Sequence, residues 1–366
     1  LYQIHRGCLL ENQKNKIENT HKRIYNNMAL EKNVSVITIS KIDKNYDNIL
    51  KTLRSFCKTV SQDKYKEYIL IYSGKEDISD LLADIKSIKN FRPIYSENSN
   101  WSVKRNIGLK NAVGEFVLFI DDGMEFESGW FENLIEVFEK NNDASVVCGI
   151  VLPSEPKSIW GRAQGILNHP GGGYKLVKED LYEIEFFHTG ICLARKDLML
   201  EVMFDEKLMY GCEDMDISFR IKQKFQNAKF FLNPHAISFH HTRDNIKEIW
   251  NWMVRYGRGR TDIYYKHGLK MTEFFIHKLV LFILFLIFLT VFSPLLIPPS
   301  VLTFYIFYFV KLYKRVQKYQ KVNIDLKTSL VLPLVFWIMN IAFDFGRISR
   351  IFSIRVDSFK KLFRSL

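Results

Sequence analysis

The stretch Gly114 to Gly123, GEFVLFIDDG, constrains this chain more than any other. Glu115 to Ile120, apolar after its first residue, reads as a fully buried strand. It delivers two adjacent carboxylates, Asp121 and Asp122, at its C-terminal end, where Gly123 lets the chain turn at once. Ligands of open α/β sheets gather at that end of the strands. Two neighbouring ionised carboxylates repel each other in an apolar setting, so they are tolerated where they are solvated or where a cation neutralises them. A hard divalent ion, Mg2+ or Mn2+, that shares its coordination with the phosphate oxygens of a nucleotide diphosphate meets that need. An exposed strand-to-loop turn meets it as well, because Asp-Asp-Gly is also ordinary turn chemistry.

Around this stretch short apolar strands alternate with amphipathic helices. Val34 to Ile39 is strand-like, and Tyr46 to Val60 carries Ile49, Leu50, Leu53 and Phe56 at helical spacing. Tyr68 to Tyr72 is a second strand, Ile78 to Ile88 a second helix, Phe91 to Tyr95 a third strand and Trp101 to Ala112 a helix that feeds the central strand. Such alternation predicts an α/β fold whose mainly parallel sheet is covered on both faces. No GxGxxG follows the first strand, so the dinucleotide-binding fingerprint is absent. Beyond Gly123 a helix over Gly129 to Lys140 and a strand over Ala144 to Leu152 are predicted. Periodicity then fades from Pro153 to Asp180, which contains Gly171, Gly172 and Gly173 and is a candidate substrate-covering loop or a plain surface excursion. An extended pattern resumes over Glu185 to Ala194.

A second acidic cluster lies in YGCEDMDISFRI, Tyr210 to Ile221. The pattern predicts a helix whose first turn presents Glu213, Asp214 and Asp216, where the helix dipole favours anions. Acidic N-terminal capping is common, but three carboxylates in four positions exceed what a cap needs. A second cluster apart from the first is what acid-base chemistry on a cation-held substrate requires. The strand Lys229 to Phe239 ends in His240 and His241, which are candidate ligands or ordinary surface residues.

In combination these pieces resemble glycosyltransferase family 2, inverting enzymes of the GT-A fold. RNIGLKNAVGEFVLFIDDG, Arg105 to Gly123, is similar to the family's RNxG, AxGE and strand-plus-Asp sequence. GCEDMDISFRI is similar to its ED motif, and PHAISFHH, Pro234 to His241, to its P-x-A-x-x-x-H strand. The resemblance spans about Val34 to His241. It implies a GT-A nucleotide-sugar-binding domain in which Asp121 and Arg105 serve the donor and Asp122 and His240 hold a divalent metal, Mn2+ or Mg2+, with His241 as the alternative ligand. It further implies that Asp214 is the general base, with Glu213 and Asp216 shaping the acceptor side. Two departures stand out: Ile39, Ser40, Lys41 and Ile42 replace the usual Pro-Thr-x-Asn run, and Tyr72, Ser73, Gly74 and Lys75 replace Asp-Asp-Gly-Ser. No carboxylate stands there to bond uracil, and Tyr72 offers a ring to stack on the donor's base instead.

Asp244 to His267 carries Trp250, Trp252, Arg255, Tyr256, Arg258 and Arg260, including RYGRGR, which resembles the segment after the catalytic domain in membrane-bound members that build exopolysaccharide or lipid-linked glycans. Arg255, Arg258 and Arg260 are candidate phosphate or acceptor contacts, or snorkelling residues of an interfacial helix. No QxxRW motif is present, which favours addition of one sugar over polymerisation. Leu279 to Ile297 holds 19 residues without a charge, Ser300 to Leu312 continues apolar after Pro298 and Pro299, and Leu330 to Phe345 is a third apolar run with Asn340 and Asp344. Of the net charge of +12, +10 falls between Lys270 and Leu366, where 14 Lys and Arg face 4 acidic residues. Cations that flank apolar spans suit an anionic inner leaflet and argue against a nucleic-acid partner. Five scattered cysteines without a CxxC pair fit reduced thiols.

The predicted layout is a polar lead-in over residues 1–33, the catalytic domain over 34–243, an amphipathic connector over 244–273 and a membrane region over 274–366. Three full spans would strand the six cations of the tail, Arg347 to Arg364, outside, so two spans plus a re-entrant or interfacial third segment are expected, with Asp344 reaching the interface. The expected protein is an inverting, metal-dependent glycosyltransferase, integral to the cell membrane with its catalytic domain in the cytoplasm. It would move sugar from a nucleotide donor to a lipid-linked or glycan acceptor at the membrane lipid. A polyprenyl-phosphate monosaccharide synthase and a non-catalytic membrane scaffold are the alternatives.

Overall fold

The computed structural model describes residues 30–74, 77–84, 88–167, 180–268, 276–320 and 324–365. Most of the predicted lead-in, and the glycine run of the candidate covering loop, lie outside the described residues.

Nine strands form one mixed sheet in the order β3-β2-β1-β4-β8-β6-β9-β5, with β7 beside β9. They are β1 (Val34–Lys41), β2 (Glu67–Ser73), β3 (Phe91–Tyr95), β4 (Phe116–Asp121), β5 (Met124–Phe126), β6 (Ala144–Pro153), β7 (Tyr182–Ile184), β8 (Ile191–Arg195) and β9 (Lys229–His240). The first four run parallel, β8 is antiparallel to both β4 and β6, and β9 is parallel to β6. The central strands are mostly apolar and buried along their length because both faces are covered, and side chains alternate between the two.

On one face Val36, Tyr68, Leu70, Tyr72, Leu118 and Ile120 pack against helices α1 (Ile42–Thr59), α2 (Ser79–Asp84) and α4 (Trp130–Lys140). On the other, Ile37, Ile69, Ile71, Val117 and Phe119 meet α3 (Trp101–Asn111), α6 (Lys196–Val202) and α7 (Glu213–Lys224). Asp121 continues the second parity and Tyr72 the first. This decides what each can reach.

Helix α1 starts four residues before its predicted onset, and a kink at Asn45 (φ −127°, ψ 25°) interrupts it. The first part of the predicted irregular segment folds as α5 (Ile159–Leu167). In place of one extended run after Asp180 there are two strands, β7 and β8.

The predicted connector is one helix, α8 (Ile246–His267), capped by the Asn245 side chain accepting from the Glu248 amide and closed by Gly268 in the left-handed region. It packs with α5, the end of α10 (Ile297–Gln320) and α11 (Leu326–Ser365) in a separate apolar core built on Ile249, Trp252, Leu332, Val335 and Ala342. Helix α11 is continuous, so the third apolar run and the basic tail belong to one element despite Pro333. Asp344 lies buried and pairs with Arg347 at 3.2 Å. Helix α9 (Ile276–Phe292) precedes a short turn into α10, and Leu281, Leu284, Phe288, Val291, Leu302 and Phe307 along the pair are exposed. Two segments, Pro294–Val316 and Leu326–Arg355, are long and apolar enough to cross a bilayer; the first is 11% buried and the second 39%.

Candidate active site

The end of β4 and the first turn of α7 open onto one cavity of about 370 Å3. Its lining includes Asp121, Asp122, Glu213 and Asp214, so the two acidic clusters share a cleft. Topology explains the meeting. Strand β8 lies beside β4, and α7 packs on the same face of the sheet through Ile217 and Ile221, with its N-terminus at the ligand-binding edge. Gly211 (φ +94°) and Cys212 (φ +65°), both left-handed, turn the chain sharply into the helix. A non-glycine residue held there is strained, as recurs at functional sites.

Arg105 ties the clusters together. Helix α3 projects it from beneath the sheet, and its guanidinium donates to Asp121 at 2.9 Å and to Glu213 at 2.5 Å. Itself buried, it holds the buried Glu213 and the partly exposed Asp121 in place, and leaves Asp214 without a salt bridge among the described residues. Burial, reinforced by the charge of Glu213, pushes the Asp214 carboxyl up to about 7, against the Met215 amide, which donates to it at 2.8 Å.

Asp122 accepts from the Ser40 hydroxyl at 2.7 Å and from the Asn45 amide at 2.9 Å, both to the same oxygen. The kink in α1 brings Asn45 to this position. Burial raises the Asp122 carboxyl, and Asp121 adds to that, while these two hydrogen bonds and Lys104 oppose it. Lys104 is itself buried; its ammonium donates to the Ser40 carbonyl at 2.8 Å and the Ser73 hydroxyl at 3.3 Å. Burial lowers it to about 8 although Asp122 pulls the other way.

The antiparallel pairing of β5 with β9 sets Met124 opposite His240, which delivers both histidines to the turn after Asp122. A Cβ on Gly123 would lie 3.1 Å from His241 Nδ1 and 3.4 Å from His240 Nε2. His240 Nδ1 is 3.0 Å from the His241 carbonyl oxygen. If it donates there, Nε2 carries the lone pair a metal ligand needs. Among the described residues no three His, Cys, Asp or Glu side chains gather closely enough to hold an ion alone. Asp122 and His240 fit an ion that takes its other ligands from phosphate oxygens, as Mg2+ and Mn2+ commonly do.

Residues 35–202 match the family described as Glycosyl transferase family 2. The chain carries a glycosyl transferase family 2 domain. Its mostly parallel, mixed sheet is that of a GT-A-like α/β fold. The matched span ends before Glu213, Asp214 and His240, so their place in the cavity rests on the structure.

Among relatives, the chain is 25% identical over 218 residues to a dolichyl N-acetyl-alpha-D-glucosaminyl phosphate 3-beta-D-2,3-diacetamido-2,3-dideoxy-beta-D-glucuronosyltransferase of Methanococcus voltae, covering 55% of this chain and 65% of the relative. It is 27% identical over 124 residues to a glucosyl-dolichyl phosphate glucuronosyltransferase of Haloferax volcanii, covering 33% and 38%. The chain thus spans less than two thirds of the length of either relative. A solved structure of the mannosyltransferase PcManGT from Pyrobaculum calidifontis with GDP-Man and Mn2+ aligns with a TM-score of 0.47 at 14% identity, covering 83% of this chain and 86% of that one.

Several predicted site residues lie away from this cavity. Tyr72 follows the parity of Tyr68 and Leu70, so its ring packs into the α1 layer against Tyr95. Asp216 is wholly buried in an ion network with Arg220, Lys266 and His267, latching α7 to the end of α8. Arg258 donates to Ser349 on α11, and Arg260 stacks on Tyr264; neither lines the cavity. Arg255 does line it. Ser40, Asn45, Lys104 and Arg243 also belong to the lining and were not singled out from sequence. For Lys104 the available signal was its place beside Arg105 on the cleft-facing helix.

Proposed function

We propose that this protein is an inverting glycosyltransferase that moves a sugar from a nucleotide-sugar donor to an acceptor hydroxyl on a lipid-linked or growing glycan. The observation that carries the reading is the shared cleft of Asp122 and Asp214, spanned by Arg105. Asp122 and His240 would hold a divalent metal, which when bound supplies Lewis-acid stabilisation of the negative charge that builds on the departing diphosphate.

Asp214 takes the proton of the acceptor hydroxyl. Its raised carboxyl matches a base that works near neutral pH, where proton removal and driving force are balanced. Attack from the Asp214 side, opposite the diphosphate, inverts the anomeric centre. Asp121, held by Arg105, would bind the donor, and Glu213 keeps the guanidinium oriented. Tyr72 does not serve the base in this arrangement, because its ring is enclosed in the core.

The exposed apolar surfaces of α9 and α10 support insertion of that hairpin into a membrane, with α11 held along α8 at the bilayer surface and the domain on the cytoplasmic side. Cysteine labelling of the C-terminal tail in intact cells checks this: reagent that reaches the tail from outside contradicts the orientation. For the chemistry, UDP, GDP, CDP and dTDP sugars with Mn2+ are screened by thermal shift. Asp122→Asn is expected to abolish metal-dependent stabilisation by the responding donor. Turnover by Asp122→Asn equal to that of the parent would remove the assignment.

A further inference from the structure

The cleft is polarised. Carboxylates occupy its floor, and two arginines, Arg243 just after β9 and Arg255 on α8, stand in the wall it shares with an adjoining open groove of about 960 Å3. Several arginines of the fold have a carboxylate partner: Arg105 has Asp121 and Glu213, Arg220 has Asp216, and Arg350 has Asp262. Among the described residues Arg243 and Arg255 have none. Arg243 lies over the Trp252 ring at 5.1 Å, and its one side-chain hydrogen bond is a long one, 3.4 Å, to the His241 carbonyl. Arg255 lies over the Trp101 ring at 4.7 Å, and its Nε is buried without a hydrogen-bond partner among the described residues.

Aromatic stacking thus sets the planes of both guanidiniums while leaving donors unspent. A buried donor without a partner costs stability, so its retention in a cleft wall points to a ligand that completes it. Two planar cationic forks where the cavity meets the adjoining groove suit an anion with several oxygens whose remainder extends outward.

We propose that Arg243 and Arg255 form a phosphate-binding subsite for a phosphate ester, carried either by the donor's diphosphate or by a lipid-linked acceptor. This rests on the transferase reading and extends it to a second anion contact on the chain itself, apart from any metal. Trp252 and Trp101 act as positioning residues for the two forks. The subsite also gives α8 a direct role in the cleft through Arg255.

The test uses the full chain in detergent. Inorganic pyrophosphate, in EDTA to remove any metal contribution, is titrated calorimetrically into the parent, Arg243→Gln, Arg255→Gln and the charge-matched control Arg258→Gln. Each cleft variant is expected to weaken binding about tenfold, as loss of a charge-assisted contact does, with Arg258→Gln near the parent. Arg243→Lys and Arg255→Lys guard against misfolding and are expected to recover part of the affinity.

Displacement of pyrophosphate by UDP identifies the donor as the source of the phosphate, and displacement by farnesyl phosphate identifies the acceptor. Displacement by neither, no pyrophosphate binding by the parent, or unchanged affinity in folded Gln variants overturns the proposal. Should it fall while Mn2+-dependent donor binding still requires Asp122, the transferase reading stands without it. Should donor binding be absent as well, both fall.

Discussion

Asp214→Asn separates catalysis from stability in opposite directions. The folded protein keeps a proton on Asp214 up to about pH 7, whereas the unfolded chain releases it near the ordinary 3.8. Between those values folding takes up a proton, so stability falls as pH rises through the window, and above it the full cost of a buried charge remains. A shift of about three units corresponds to roughly 4 kcal/mol at about 1.36 kcal/mol per unit. Asparagine keeps the shape, and its amide oxygen can still accept from Met215, but it never carries the charge. At pH 8 the variant is therefore expected to be more stable by up to about 4 kcal/mol, a rise in Tm on the order of 10 °C for a domain of this size. The gain should vanish near pH 4. Transfer should fall by about 10²- to 10⁴-fold, the usual contribution of a positioned base. Donor binding with Mn2+ should stay near that of the parent. Thermal melts from pH 4 to 8, beside single-turnover transfer assays, measure all three. A Tm lowered at pH 8, or turnover equal to the parent, refutes the placement of an uncompensated base at residue 214.

Three further outcomes follow from contacts already described. Asp216→Ala strips a fully buried carboxylate from Arg220, Lys266 and His267, and should cost about 3 kcal/mol in denaturant melts while leaving pyrophosphate affinity unchanged. Gly257→Ala places a methyl 2.0 Å from the Phe343 carbonyl oxygen; the forced separation of α8 from α11 should cost about 1–3 kcal/mol, read as a fall in Tm. Arg105→Gln leaves Asp121 and Glu213 facing each other without their shared cation, and should lower kcat/KM by about 10²-fold or more, with donor affinity measured alongside.

The sheet was legible because its central strands are short, mostly apolar runs and several of its helices carry clear apolar spacing. Phe116 to Asp121 could be placed as a central strand from its residues alone, and the carboxylates at its end followed. Glu213 and Asp214 were legible as a second cluster because a cap does not need so many acids. Other features depend on the third dimension. Tyr72 looked available for stacking, yet strand parity turns it into the core, which sequence reveals only once the face of each residue is known. Asn45 reaches Asp122 through a kink that no proline or glycine announces. Arg243 shows no local pattern, and its significance lies in its place in the cleft wall over Trp252.

RYGRGR divides its work among its residues. Arg255 lines the cleft, whereas Arg258 donates to Ser349 on α11 and Arg260 lies over Tyr264, and the glycines bear the tightest steric constraint. Gly257 and Gly346 let α8 and α11 cross with backbone contact, since a Cβ on either would sit within about 2 Å of the other helix's carbonyl oxygen. Gly259 admits the backbone of Tyr210 and Gly211, with a Cβ there 2.9 and 2.8 Å from their carbonyl oxygens. One helix is therefore seated against α11 on one contact and against the turn that aims Glu213 and Asp214 on the other, while Trp252, Arg255 and Tyr256 from the same helix wall the cleft. A displacement of α11 cannot leave the cleft unaltered, because α8 has no side chain at these crossings that could yield in its place.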